Sequence, residues 1–277
     1  MPGSPGYSLV IYRQPVSVVA SGLVDIHSHI LYDLDDGART LEESVEMVRL
    51  AAQSGTTDIV ATPHANTEFP FDPDLISRRI EELQKAAGGV PRIHRGCDLH
   101  LTLENIQDAL ANPAKYAINH HGYLLVEFSD FLIPRTTQEI FDRFLGAGLT
   151  PIITHPERNG LLHSRLDQLR SWVDNGALVQ VTAGSLLGSF GRAAKSVAAT
   201  LMNRNLVHFI ASDAHDTRYR TPILRDAYQY VERTWSLDLA QTLFTAAPQA
   251  VIDGQEIELR DEMVAPPAKK KWFRLGF

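Results

Sequence analysis

Cysteine is all but absent: Cys97 is the only one among 277 residues, so an internal disulfide is excluded and a reducing compartment is expected. Long apolar runs are missing as well. No stretch reaches the roughly 18 apolar residues of a membrane-spanning helix, and residues 1–22 lack the basic start and full apolar run of a secretion signal. Positive charge is scarce, with 26 Lys and Arg against 33 Asp and Glu and a formal net charge of −7. That balance argues against general nucleic-acid binding, so an anionic substrate would need local positive charge. The expected location is the cytoplasm. What is present is ordinary for a soluble globular chain: 44% hydrophobic and 21% charged residues, in a length that supports one large core.

From Leu23 onward, short β-branched or apolar runs alternate with longer segments of helical period, the pattern of βα units around a parallel sheet. Seven runs are expected as strands: 23–27, 57–61, 92–96, 123–127, 150–154, 177–181 and 207–211. Thr40 followed by Glu43 has capping-box spacing, and Gly55 suits the left-handed close of the same helix. Asn175-Gly176 and residues 146–148 end two others. The expected organisation is a flexible extension over 1–22, a single α/β barrel domain over 23–259, and a tail over 260–277 that mixes Lys269, Lys270 and Lys271 with Trp272, Phe273 and Arg274. Such a tail reads first as solvated chain, and otherwise as a contact for an anionic membrane surface or acidic partner.

Nearly every expected strand ends in a residue type that binds metal or phosphate, and in a barrel of parallel strands those ends converge on one face. Asp25-Ile26-His27-Ser28-His29 closes the first run. It is followed by Thr62-Pro63-His64, Gly96-Cys97-Asp98, Glu127, Thr154-His155-Pro156-Glu157-Arg158, Thr182-Ala183-Gly184 and Ser212-Asp213-Ala214-His215. A lone His-x-His is weak evidence, because hydrogen-bonded or surface histidines are common. The reading changes once Asp213-x-His215, His64, His155, Asp98 and Asp36 fall at the same end. Imidazole and carboxylate donors without thiolate suit Mn, Fe or Zn better than a dedicated calcium site. His94, His100, His120, His121, His163 and His208 are read as structural or solvated. Among the loop arginines, Arg158 and Arg220 are preferred for holding phosphate, since a guanidinium fork binds its oxygens in pairs. Arg135 is a weaker candidate, and Arg218 a loop neighbour of Arg220.

Taken together, His27-Ser28-His29, Asp35-Asp36-Gly37, Thr62-Pro63-His64, His155-Pro156-Glu157-Arg158, Thr182-Ala183-Gly184-Ser185 and Ser212-Asp213-Ala214-His215 resemble the PHP (polymerase and histidinol phosphatase) superfamily. Within it, the chain is most similar to the bacterial protein-tyrosine phosphatases of capsule and exopolysaccharide loci, from about Leu23 to Gly254. The resemblance implies a distorted (β/α)7 TIM-like barrel with a site for three divalent ions, manganese first and iron, zinc or cobalt otherwise. The implied metal ligands are His27, His29, Asp36, His64, Asp98, His155, Asp213 and His215, with Arg158 and Arg220 binding phosphate. It also implies action on a phosphotyrosine protein, a membrane-associated tyrosine autokinase, from the cytoplasm or the inner membrane face. The sequence is compatible with a homo-oligomer. Two departures stand out: Asp98 replaces a glutamate that bridges two metals, and residues 30–34 lack the usual Pro-Gly.

The chemistry expected of such a site is attack on phosphorus by a metal-activated hydroxide, with no protein nucleophile. Rival readings are another PHP phosphoesterase (histidinol phosphatase or nucleic-acid 3′-end trimming), an amidohydrolase, and a metal-stabilised scaffold with little activity. An amidohydrolase would commonly carry a bridging carbamylated lysine at a mid-barrel strand end, where this chain has Val126-Glu127. Cysteine-based phosphate hydrolysis needs an arginine six positions after the cysteine, and that position is Leu103. Cys97→Ser should therefore leave aryl-phosphate hydrolysis within about twofold of the parent rate; loss of turnover in the folded variant would refute the metal reading.

Overall fold

A computed structural model describes residues 22–257. Apart from Gly22, the expected extension over 1–22 and tail over 260–277 lie outside the described residues. Nine parallel strands follow in order: β1 (Leu23–Ser28), β2 (Thr56–Ala61), β3 (His64–Ala65), β4 (Arg92–Arg95), β5 (Asp98–His100), β6 (Tyr123–Glu127), β7 (Thr150–Thr154), β8 (Leu178–Thr182) and β9 (Phe209–Ala211). They form two sheets, β1-β2-β4 and β3-β5-β6-β7-β8-β9. The seven expected runs are all present, but the second and third units are each broken in two. Thr62-Pro63 interrupts β2 from β3 and Gly96-Cys97 interrupts β4 from β5. Pro63 has no N–H for a ladder, though its carbonyl accepts from Asp98 N at 3.1 Å. Each broken unit passes from one sheet to the other, which distorts the (β/α)7 barrel.

Strand alternation divides the apolar residues into layers. Along β6, Tyr123 and Leu125 join the inner core with Val24, Ile26, Ile152, Leu178 and Phe209, while Leu124 and Val126 pack outward. The helix Ala247–Asp253 contributes Ala247, Val251 and Ile252 to that inner core, so apolar side chains close the end opposite the polar strand termini. Outside, α1 (Leu41–Gln53) and α2 (Pro73–Ala86) cover one sheet through Met47, Val48, Ile76 and Leu83.

Local signals act largely as the sequence indicates. Thr40 Oγ1 accepts the Glu43 N–H at 3.2 Å, and Gly55 follows the helix at φ 98°. The reciprocal bond of the expected capping box is displaced by one residue: Glu43 Oε2 accepts from Arg39 N at 2.9 Å. Gly148 and Gly176, at φ 77° and 101°, follow the ends of the helices Thr137–Gly146 and Leu166–Asp174.

The barrel closes where β9 meets β1. A single bridge joins Ser28 to Ala214, with His29 N donating to Ala214 O and Asp213 N to His27 O, each at 2.8 Å. Beneath it, buried Asp25 Oδ1 accepts from Ser212 N at 3.0 Å and His27 N at 3.3 Å. Burial pushes the Asp25 carboxyl up to about 6 against these bonds.

His208 makes a comparable repair at the start of β9. Its ring Nδ1 accepts the Val179 N–H at 3.0 Å while the His208 backbone N–H donates to Val179 O at 2.9 Å, so Nδ1 must carry no proton. Burial, with Arg170 adding repulsion, pulls its pKa from 6.5 to about 4. The unfolded chain therefore binds the extra proton between these values, and this contribution to stability is complete above 6.5 and lost as pH falls towards 4. Relative to His208→Gln, the parent should lose about 1–2 kcal/mol of unfolding free energy between pH 7 and pH 4. Urea titrations at both pH values check this, and a difference independent of pH would contradict it.

Candidate metal centre

The inward positions of the strands become polar at one end of the barrel. Glu127 continues the inward series Tyr123, Leu125, and in β5 the outward Leu99 leaves Asp98 and His100 on the inner side. Two site residues stand on unusual backbone just beyond strands: His155 at φ 31° and Asp213 at φ 51°. Non-glycine residues avoid that region, and here the residues there aim side chains into the mouth. Gly37 lets the Asp35-Asp36 turn lie against the end of β1: a Cβ on it would stand 2.1 Å from His29 O.

All eight residues expected as metal ligands come together. His27 Nε2 lies 3.3 Å from His29 Nε2, 3.6 Å from Asp98 Oδ2 and 3.5 Å from Asp213 Oδ1. His64 Nδ1 is 3.3 Å from Asp98 Oδ2, and its Nε2 3.4 Å from Asp36 Oδ1. His215 Nε2 is 3.2 Å from the same Asp36 oxygen. His155 Nε2 is 3.5 Å from Glu127 Oε1. Groups whose ligand atoms fall within 4.8 Å of one another are His29, Asp36, His64 and His215; His27, His29 and Asp98; His27, His155 and Asp213; and Asp98, Glu127 and His155.

These donors suit divalent ions. Asp98 Oδ2, Glu127 Oε2 and His64 Nδ1 are buried atoms without hydrogen-bond partners, although buried polar atoms are ordinarily satisfied. Their free lone pairs point at shared space. The outer atoms are held instead: His27 Nδ1 by Gln180 Oε1 at 3.0 Å and His29 Nδ1 by Asp35 Oδ2 at 2.7 Å, which leaves each Nε2 facing inward, as bound metals require. Burial alone would raise the Asp98 and Asp213 carboxyls. For Asp98, His27 and His64 outweigh it, and for Asp213, His27, His29, His155 and Arg158 do, holding both well below the usual range. Both are anionic at neutral pH. His215 and His155 are pulled down to about 4 by burial, with repulsion from His29 and Arg158 respectively.

Arg158 and Arg220 sit together at the rim, both on Asp213 Oδ2, with Arg220 Nη2 at 2.7 Å. The Arg158 guanidinium carbon lies over the Phe190 ring, 4.4 Å from its centroid. Arg135 and Arg218 are exposed. Two residues not named among the expected ligands enter the cluster: Glu127, seen in sequence only as a strand end, and His100, read there as structural. With His64 they form a further group within 4.8 Å. The parity of β5 and β6 carries the signal for both. Other histidines have the structural partners expected: His94 bonds Asp58 Oδ1 at 2.8 Å, His163 the Glu157 carbonyl at 2.8 Å, and His120 the Ala114 carbonyl at 2.8 Å. The Cys97 thiol is buried and pushed well up by burial, with Asp98 adding to it, which disfavours the thiolate a nucleophile would need.

The family model for capsular polysaccharide synthesis proteins of the CpsB/CapC type matches residues 23–253. The chain belongs to the CpsB/CapC family. It is 36% identical to CapC of Staphylococcus aureus, over 74% of this chain and 82% of that one. With the tyrosine-protein phosphatase YwqE of Bacillus subtilis it shares 32% identity over 92% of this chain and 100% of the relative. A crystal structure from work on YwqE of Bacillus subtilis and CpsB of Streptococcus pneumoniae, described as metal-dependent tyrosine phosphatases, superposes with a TM-score of 0.80 at 31% identity. It covers 88% of this chain and 99% of that one.

For this CpsB/CapC member, Gly37 offers a direct test of how the mouth is held. Gly37→Ala must displace either the turn or His29, at a cost of about 2 kcal/mol, and with it the bond from Ala38 N to His29 O. Chemical denaturation should show that loss, and metal analysis a lower content per chain. Parent-like values in both would show that the close approach is dispensable.

Proposed function

We propose that this chain is a metal-dependent protein-tyrosine phosphatase. The observation that carries the reading is the convergence of His27, His29, His64, His155 and His215 with Asp36, Asp98, Glu127 and Asp213, rimmed by Arg158 and Arg220. Kinship with proteins named tyrosine-protein phosphatases supports the substrate class. Three ions, manganese first, would be held by His27, His29 and Asp98 with Asp213, by Asp36, His64 and His215, and by Asp98, Glu127 and His155.

Bound divalent ions supply Lewis acidity towards the phosphoryl oxygens and an activated water at neutral pH. The chain's residues do the rest. Asp35 and Gln180 fix the rings of His29 and His27, so each presents Nε2 to the site. Arg158 and Arg220 turn their forks from Asp213 to the equatorial oxygens of phosphate, where they stabilise the charge of the transition state. A recess beside the ligands, its lining mostly polar and including Asp130, His155, Arg158 and Asn159, adjoins the cationic rim. No step needs Cys97.

Among the described residues no helix is long and apolar enough to cross a membrane. The proposed physiological substrate is a tyrosine autokinase of capsular or exopolysaccharide synthesis, met at the inner face of the membrane by a cytoplasmic enzyme.

Manganese-loaded protein should hydrolyse a phosphotyrosine peptide in preference to histidinol phosphate or single-stranded DNA. Chelation should abolish the activity and manganese restore it. His29→Ala and Asp213→Ala should each lower kcat/KM by at least about a thousandfold. Near-parent activity in both folded variants, or after complete metal removal, would sink the proposal.

A further inference from the structure

We propose that His100 is a metal ligand, holding a divalent transition-metal cation together with Glu127 at the outer edge of the cluster. The inference rests on the reading of the mouth as a metal centre and adds to it a residue outside the assigned set. His100 is paired in register with Glu127 across β5 and β6, so the two side chains stand side by side on the inner face. His100 Nε2 and Glu127 Oε2 are in direct contact. His64 Nδ1 approaches the same carboxylate oxygen at 3.5 Å, and the His64 and His100 rings meet edge-on with centroids 5.1 Å apart. All three atoms, His64 Nδ1, His100 Nε2 and Glu127 Oε2, are buried, and beyond the ion-pair contacts among the site's histidines and carboxylates none has a hydrogen-bond partner.

Lone-pair accounting favours ligation. A neutral imidazole has one free lone pair, and His64 faces two ways, with Nε2 towards Asp36 and Nδ1 towards Asp98 and Glu127. It can serve only one side at a time. If it serves the Asp36 and His215 side, the Glu127 Oε2 side has no imidazole unless His100 provides one. Glu127 is placed to divide its oxygens accordingly, with Oε1 towards His155 and Oε2 towards His100. Imidazole with carboxylate selects manganese, iron or zinc over calcium.

The competing role is positioning: His100 could donate an N–H to Glu127 and never touch metal. Two variants separate the roles, because His100→Gln retains an N–H donor for Glu127 while glutamine is a poor transition-metal ligand, and His100→Ala retains neither. Full-length parent and variants would be loaded with Mn2+, freed of excess and analysed for metal per chain, with dissociation constants from chelator competition. The Co2+ forms would be compared by visible absorption. The expected result is that both variants hold one ion fewer, or bind their weakest ion at least tenfold less tightly, with a changed cobalt spectrum. Parent-like stoichiometry, affinity and spectrum in both variants would overturn the inference, as would a loss in His100→Ala that His100→Gln repairs. If His100→Ala fails to fold, the glutamine variant alone decides by the same criteria. Parent protein that takes up no divalent ion would instead overturn the metal reading itself, and this inference with it.

Discussion

The seam between the last strand and the first is the constraint on which the rest of the structure depends. The barrel closes there through one bridge, two backbone bonds at 2.8 Å and the buried Asp25 carboxylate. Those few bonds set His27-x-His29 against Asp213-x-His215, although nearly the whole domain separates them in sequence. Regular pairing would have buried more backbone in ladders. The irregular seam instead leaves the first and last strands with chain ends free to turn their side chains inward, and on its other edge β1 shifts register against β2 between Asp25 and Ser28. The functional mouth is thus a consequence of how the barrel closes.

Gathering so many ionisable groups in one place is costly, because each charge taken from water must be repaid by partners. Asp213 is the hub of the compensation. It is buried, yet Arg158, Arg220 and the rings of His27, His29 and His215 all lie within ion-pair distance of it. On the other side of the mouth the balance is less complete: the buried oxygens Asp98 Oδ2 and Glu127 Oε2 face histidine rings alone, with no arginine. Protein donors therefore satisfy one half of the site, and the other half has the character of a cation's coordination shell. The two arginines occupy the boundary. Their charge serves Asp213 in the resting arrangement, and under the proposed function the same pair of side chains would take up the phosphate.

Much of this arrangement is legible in the sequence because parallel barrels bring all strand ends to one face. Seven strand units follow from the alternation of apolar runs and helical segments, and the polar residue at each terminus gains its meaning from that rule, whereas the set of eight expected ligands, with Asp36 in a loop, is what the resemblance to the PHP superfamily implies. What escapes notice is what short segments conceal. Residues 64–65 and 98–100 are too brief to register as strands against their flanking runs, so the breaks at Pro63 and Gly96 look like simple ends. His100 then falls in an apparent loop, where a histidine is ordinarily solvated. Once Asp98–His100 is a strand beside Tyr123–Glu127, period-two alternation requires His100 and Glu127 to face inward with Asp98. The signal was present in β6, whose residues alternate inward and outward as far as Glu127. The displaced cap at Arg39 is a different failure. A side chain as long as Glu43 can reach either of two successive amides, and spacing alone does not distinguish them.

What Asp98 reaches is set by its backbone position as well as by its side-chain length. A carboxylate one methylene shorter than glutamate reaches less far, but here it sits on a strand that has already stepped across to the second sheet, paired with His64 and Leu125 in register. That step carries its Oδ2 to 3.3 Å from His64 and 3.6 Å from His27, residues that belong to different ligand groups. Reach is therefore a property of backbone position plus side chain, and the break at Gly96 contributes the first of these. The same step presents His100 beside Glu127. A shorter acid at position 98 and an imidazole two residues later share one short strand, and the width of the cluster is shared between them.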